Sequence, residues 1–383
     1  MTDSTRPYLR RIIWPVILLV VLLASCASWS TPTPPLGADS PLPVREGTSY
    51  FSVGSATYRA LAQVDVAKVH RLHSVLVGID GEIVLERYYN RRDEGSIHDI
   101  RSATKSITAI LVGIAIDRGI VSGVDQPVAE ILQPAYPDIE IPEDLTIHHL
   151  LSMSPGKDCD DWDRRSPGNE NRMYRTRDWT EFFLSLDQVA APGEVGSYCT
   201  GGVVALGRIL ELSLDTPLDD WADEVLFKPL GIRNYQWEYY QRGRGVDTGG
   251  HLHISPRGLM ALGFMLLQRG SFAGERIVSA EWIDDMWTPR GDLSGQMYGY
   301  LWWPQEVDYG FGPVQVLVAR GNGGQNLFLV PSLSLSVVVT TGYYNDPRSA
   351  VSDQIFFNAI LPDVLDIDSA SGNSERKLKG VYL

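Results

Sequence analysis

Two apolar-rich runs, Ser74–Ile79 and Glu82–Tyr89, flank the dipeptide Asp80-Gly81. Asp-Gly between such runs suits a two-residue hairpin turn, so the pattern predicts a pair of antiparallel strands. Near the other end, Val314–Ala319, Leu327–Val330 and Leu335–Thr341 read as three more strands. Apolar residues three and four apart predict helices over Thr57–Val69, Arg257–Gln268 and Ala350–Leu361, the second of them stopped by Gly270. The middle of the chain is richer in helical spacing, Pro and Gly. Strands therefore come from both chain ends and helices mostly from between them. The reading is an α/β protein: an antiparallel sheet built from both ends and flanked by helices, with a mostly helical domain inserted at roughly 124–305.

The first residues follow a different pattern. Arg6, Arg10 and Arg11 precede an apolar run, Ile12 to Ala24, that ends at Ser25-Cys26. As a helix that run would reach about 20 Å, short of the ~30 Å hydrocarbon core, so it reads as a secretory signal over 1–25 rather than a span. Leu23-Ala24-Ser25-Cys26 resembles a bacterial lipobox, which implies that Cys26 is lipidated and becomes the mature N-terminus at a membrane surface. The segment 26–45 contains Pro32, Pro34, Pro35, Pro41 and Pro43 and reads as an extended tether. The folded domain is then expected over 46–370, followed by a tail over 371–383.

Candidate chemistry begins at Ile100-Arg101-Ser102-Ala103-Thr104-Lys105-Ser106. Apolar residues at helical spacing follow, which puts Ser102 at the start of a buried helix and Lys105 on the same face. A serine hydroxyl needs a neighbouring base to become a nucleophile, and the N-terminus of a helix favours a developing oxyanion. Taken alone, the pattern reads rather as a capping serine and a solvent-facing lysine.

The order of further segments adds to it. Gly119–Leu132 follows, then Leu145-Thr146-Ile147-His148-His149-Leu150-Leu151-Ser152-Met153-Ser154-Pro155-Gly156, then Pro192-Gly193-Glu194 and Tyr198-Cys199-Thr200-Gly201-Gly202. Gly249-Gly250 to Leu259, Tyr298-Gly299-Tyr300-Leu301-Trp302-Trp303 and Asn322-Gly323-Gly324 complete the series. Together they resemble the class C β-lactamase, D,D-peptidase and esterase superfamily from Ser74 to Leu361. The resemblance implies a β-lactamase/penicillin-binding-protein-like fold. It further implies acyl-enzyme chemistry with Ser102, Lys105 and Tyr198 as catalytic residues, and an oxyanion hole from the backbone N–H groups of Ser102 and Gln325.

Two positions depart from that family's pattern. Thr200 stands where the family often has Asn, and lacks the paired donor and acceptor of a carboxamide. Asn322 stands where Lys or His is usual, and brings no positive charge for a substrate carboxylate. The expectation shifts from β-lactams and D-alanyl peptides toward esters or small amides. Thr200, Asn322, Gly323, Gly324, Trp302 and Trp303 are the candidate substrate contacts. In an exported chain Cys159 and Cys199, both near these segments, are expected to form a disulfide, two separate thiols being the alternative.

Composition narrows the partners. With 33 basic and 47 acidic residues the net charge is −14, which repels phosphate backbones and argues against a nucleic-acid partner. His148-His149 and His251-Leu252-His253 have no accompanying ligand set at a known spacing, so no metal and no cofactor is expected. A G-x-S-x-G elbow is absent. The partners expected are an ester, amide or peptide-like small molecule and, through Cys26, a bacterial envelope membrane; the sequence assigns no oligomeric state.

Overall fold

The computed structural model describes residue 39 and residues 42–45, 55–67, 69–240, 245–310 and 312–369. The expected signal, Cys26 and the 371–383 tail lie outside the described residues.

After a first helix, α1 (Ala56–Ala67), come β1 (Leu72–Ile79) and β2 (Glu82–Tyr88). They are joined through Asp80 (φ 53°) and Gly81 (φ 81°), the positive pair that a two-residue hairpin of matching twist requires. The helix α2 (Ala103–Asp117) and later α3 (Thr200–Ser213) and α4 (Pro256–Leu267) follow. The chain then returns to the sheet with β3 (Trp303–Asp308), β4 (Pro313–Gly321), β5 (Gln325–Val330) and β6 (Leu335–Thr341).

The six strands are antiparallel in the order β3-β4-β5-β6-β1-β2. The two chain ends meet where Val75, Leu76 and Val77 of β1 face Val339, Val338 and Val337 of β6. Every residue of β5 and β6 is buried, as strands are when both faces of a sheet are covered. The period of two shows in adjacent residues. Leu327 approaches Gly263 of α4, while the Phe328 ring stacks 4.1 Å from Phe356 on the other face. Full burial of such side chains contributes about 1.5–3 kcal/mol each.

Three sequence expectations are adjusted. β3 begins within the last residues of the stretch expected to be helical; it is an edge strand, where Pro304 costs no ladder bond, and its Gln305, Glu306 and Asp308 hide an apolar period. The end of the expected tether belongs to the domain. Val44 bridges Ile83 of β2 in parallel, Leu42 is buried in the core, and Asp39 accepts the backbone N–H groups of Arg233 and Asn234 at 2.8 Å. The C-terminal helix predicted over 350–361 runs from Pro347 to Ser369 as successive 3₁₀, α and π turns.

Candidate active site

Ser102 immediately precedes α2, after Arg101 in a left-handed conformation (φ 51°). It has helical dihedrals and its hydroxyl caps nothing, while Lys105 is 1% exposed. Neither the capping serine nor the solvent-facing lysine is therefore what the fold contains. The Lys105 ammonium instead donates to Ser102 Oγ at 3.2 Å and to the carbonyl of Gly249 at 2.5 Å. Polar side chains of α2 position that carbonyl. Thr108 donates to Thr248 O at 2.7 Å, and Thr104 Oγ1 accepts the N–H of Leu252 at 3.2 Å.

Tyr198 comes from the residues just before α3. Its phenol is close enough to Ser102 for that hydroxyl to pull its pKa down, and the Lys105 ammonium lies 5.2 Å from its ring centroid. The half-exposed Trp162 stacks on the Tyr198 ring at 5.1 Å, and Trp303 stands 5.9 Å from Tyr198. A disulfide joins Cys159 to Cys199 with a Cα separation of 5.5 Å, so the loop carrying Trp162 is fastened next to Tyr198. The Asp161 N–H donates to Tyr198 O at 2.9 Å, which fastens it again.

Burial alone would lower the Lys105 pKa, but Tyr198, once its phenol ionises, and the carboxylates of Glu170, Asp161 and Asp247 together outweigh it and raise it. Burial raises the Tyr198 phenol, and Asp161 and Glu170 add to this, against the opposing pull of Lys105 and Ser102. At neutral pH the pair is thus an ammonium beside a neutral phenol. Asp161 itself is pushed up to about 6 by burial and by the nearby Glu170 carboxylate. Its two oxygens accept the backbone N–H groups of Glu170 and Thr200, each at 2.7 Å.

The turn between β4 and β5 faces Ser102. Gly321, Asn322, Gly323 and Gly324 line the cleft, and Gly323 and Gly324 have positive φ (91° and 83°). The Asn322 amide is occupied: it donates to Asn345 Oδ1 at 2.9 Å and accepts the Asn345 N–H at 2.8 Å. Gln325 opens β5 with its side chain turned into the interior, where it meets the backbone of Thr341. Arg320, also on the cleft, donates through Nη1 to both carboxylate oxygens of Asp353 at 2.7 and 2.9 Å. Two adjoining cavities of about 680 and 560 Å³ share Ser102, Arg164, Glu170 and Asn322 and make one two-lobed cleft.

Two expected substrate contacts are corrected. Thr200 is fully buried, and its hydroxyl donates to Glu170 Oε2 at 3.2 Å rather than facing the cleft. Trp302 is 1% exposed in the core, while its neighbour Trp303 lines the cleft. The histidines serve other ends: His251 Nδ1 contacts Asp247 at 2.6 Å, and His253 Nε2 contacts Glu238 at 2.9 Å. Among the described residues no group of three or more His, Cys, Asp or Glu could hold a metal ion. Sequence reasoning missed Asp247 and Glu170, and named Gly249 without its carbonyl's contact to Lys105. The acidic run Asp158–Asp163 after the Pro155-Gly156 segment is the one sequence signal that carboxylates border the site.

The family model described as Beta-lactamase matches residues 67–356. A 6-aminohexanoate-dimer hydrolase of Paenarthrobacter ureafaciens is 25% identical over 288 residues, covering 70% of this chain and 71% of that protein. Penicillin-binding protein 4 of Amycolatopsis lactamdurans is 31% identical over 138 residues, 36% of this chain and 35% of that protein. This chain thus matches only about a third of that relative's length. A solved family VIII carboxylesterase superposes with a TM-score of 0.62 at 18% identity, covering 80% of this chain and 97% of that one, and so shares the fold.

Proposed function

The chain belongs to the Beta-lactamase family of serine hydrolases, and on that premise we propose that it cleaves esters or small amides through an acyl-enzyme on Ser102. One observation carries the reading. A buried lysine ammonium 3.2 Å from a serine hydroxyl and 5.2 Å from a buried tyrosine ring has no structural need but suits proton transfer. Once the Lys105–Tyr198 pair has lost one proton, Ser102 Oγ attacks the substrate carbonyl carbon and its proton passes to that pair. The backbone N–H groups of Ser102 and Gln325 receive the oxyanion. The carbon–oxygen or carbon–nitrogen bond then breaks as the pair returns the proton to the leaving group. Water, deprotonated by the same pair, releases the acid and regenerates Ser102. The relative named for hydrolysis of a 6-aminohexanoate dimer and the carboxylesterase neighbour support amides and esters as the bond types.

The site of action is proposed to be the bacterial envelope, with the protein exported by its first 25 residues and anchored by lipid on Cys26. The Cys159–Cys199 disulfide supports an oxidising compartment.

The test is turnover of 4-nitrophenyl butyrate beside a chromogenic cephalosporin by the full chain in mild detergent, with Ser102→Ala as control and intact mass spectrometry after each incubation. Ester turnover lost in Ser102→Ala is expected. Preference for the cephalosporin would favour a β-lactamase or D-alanyl carboxypeptidase. Absence of both turnover and adduct would leave an envelope binding protein.

A further inference from the structure

The missing charge at Asn322 does not leave the cleft without cations. The larger lobe beside Ser102 is walled by Arg101, Arg164, Arg172 and Arg175, with Glu170 its one acidic residue. Arg101 is committed: it pairs with Asp99 at 2.9 Å and contacts His251 Nε2 at 2.6 Å. Arg164, Arg172 and Arg175 are exposed, and among the described residues none of them forms an ion pair or donates a side-chain hydrogen bond. Arg165, one residue on, is by contrast paired with Asp163, as Arg320 is with Asp353. In a chain of net charge −14, three guanidinium groups left without carboxylates around one cavity are conspicuous.

The backbone that carries them is built rather than loose. Asn169 is 2% exposed, and its amide donates to the carbonyls of Asp161 at 2.9 Å and Asp163 at 3.2 Å. Asp161 accepts the Glu170 N–H, and the Cys159–Cys199 bond closes the same loop onto the Tyr198 segment. The arginines therefore have a fixed base relative to Ser102. The carboxylate of Glu170 accepts the hydroxyls of Tyr174 and Thr200, each at 3.2 Å, and among the described residues it forms no ion pair with any of the three.

We propose that this lobe is an anion subsite, in which Arg164, Arg172 and Arg175 receive a free carboxylate carried by the ester or amide substrate. The proposal rests on the reading of Ser102 as nucleophile, whose acyl chemistry shares the lobe. Guanidinium groups suit the task because they stay charged and present forked donors that match a carboxylate bidentately. The cation sought at the turn between β4 and β5 is supplied by the loop before α3 instead.

The experiment compares three esters with the full chain in detergent: 4-nitrophenyl butyrate, mono(4-nitrophenyl) glutarate, and the butyrate ester of 4-hydroxybenzoate. The first is neutral; the second carries its carboxylate on the acyl part, the third on the leaving group. One carboxylate ester is expected to exceed the neutral one in kcat/KM by about tenfold or more at low salt, and 1 M NaCl to shrink the difference. Which one does so tells which end of the substrate the arginines hold. The triple variant Arg164→Gln, Arg172→Gln, Arg175→Gln is expected to erase the preference, falling further with that ester than with butyrate. Neutral ester turned over through Ser102 with no preference for either anionic ester would overturn the subsite and leave the hydrolase reading intact. Calorimetric titration of Ser102→Ala with monomethyl glutarate, with and without the three substitutions, reads the subsite without turnover. Weaker binding in the substituted protein is expected, and equal binding rejects the proposal even if no ester is cleaved.

Discussion

Gly321, the last residue of β4, presents its bare Cα to the backbone of Ile100: a Cβ there would stand 1.9 Å from the Ile100 carbonyl oxygen. Two residues past Ile100 is Ser102, so this contact sets how closely the strand edge approaches the nucleophile. Gly321→Ala must push the two backbones apart. Misplacement of about 1 Å at a reacting group costs on the order of 10²-fold in rate. A loss of that size in kcat is expected for the ester, with Gly291→Ala, where a Cβ meets nothing within 4 Å, as the silent comparison. Equal rates in the two variants would reject the assignment.

Tyr198→Phe keeps the ring that stacks with Trp162 and Trp303 and removes the hydroxyl beside Ser102. The expected result is a fall in kcat of about 10²-fold or more with little change in melting temperature. Retained activity would show that Lys105 transfers the proton unaided.

Lys105 and Tyr198 both titrate above their ordinary values, so at neutral pH the pair carries both protons. It can accept the Ser102 proton only after losing one. The logarithm of kcat/KM is therefore expected to climb with pH from about 6 to 9, with an apparent pKa that belongs to the pair. A profile flat over that range would contradict the proposed proton acceptor.

His73 and His98 stack at 4.7 Å with their Nδ1 atoms 3.2 Å apart. Burial, with the charge of Arg92, holds His73 down at about 4; burial, with His73, Arg92 and His253, holds His98 at about 3. The unfolded chain protonates both near pH 6.5, before the folded protein does. Stability is therefore expected to be full above that pH and to fall as pH drops from about 6.5 toward 4 and then 3. Melting temperatures across that range, in the parent and in His98→Gln, check it; an unchanged slope in the variant would remove the pair as the cause.

The Cys159–Cys199 bond closes a separation of 40 residues, for which chain entropy gives a contribution of about 4 kcal/mol. Cys159→Ala with Cys199→Ala is expected to lower the melting temperature and to reduce ester turnover well below it, because the loop holding Asp161 and Trp162 against Tyr198 is released. Unimpaired turnover in the variant would show that the backbone bond from Asp161 to Tyr198 is sufficient.

What the sequence itself determined was local. Asp80-Gly81 requires positive φ in a tight turn, so the hairpin was readable without knowing what covered it. Ser102 and Lys105 share one face of a helix because three residues make nearly one turn, and that too needs no neighbour. Everything that gives the pair its chemistry comes from elsewhere in the chain. Gly249 supplies a carbonyl, Asp161, Glu170 and Asp247 supply charge, and the loop before α3 supplies unpaired arginines. Trp302 and Trp303 are adjacent and alike, yet one fills the core and the other lines the cleft. Thr200 follows Tyr198 by two residues and still points to Glu170 instead of the cleft. Local spacing fixes which residues share a face; which face meets solvent, and which charges crowd a buried lysine, is decided only when distant segments pack, because burial and Coulomb energy depend on distance in space and not along the chain.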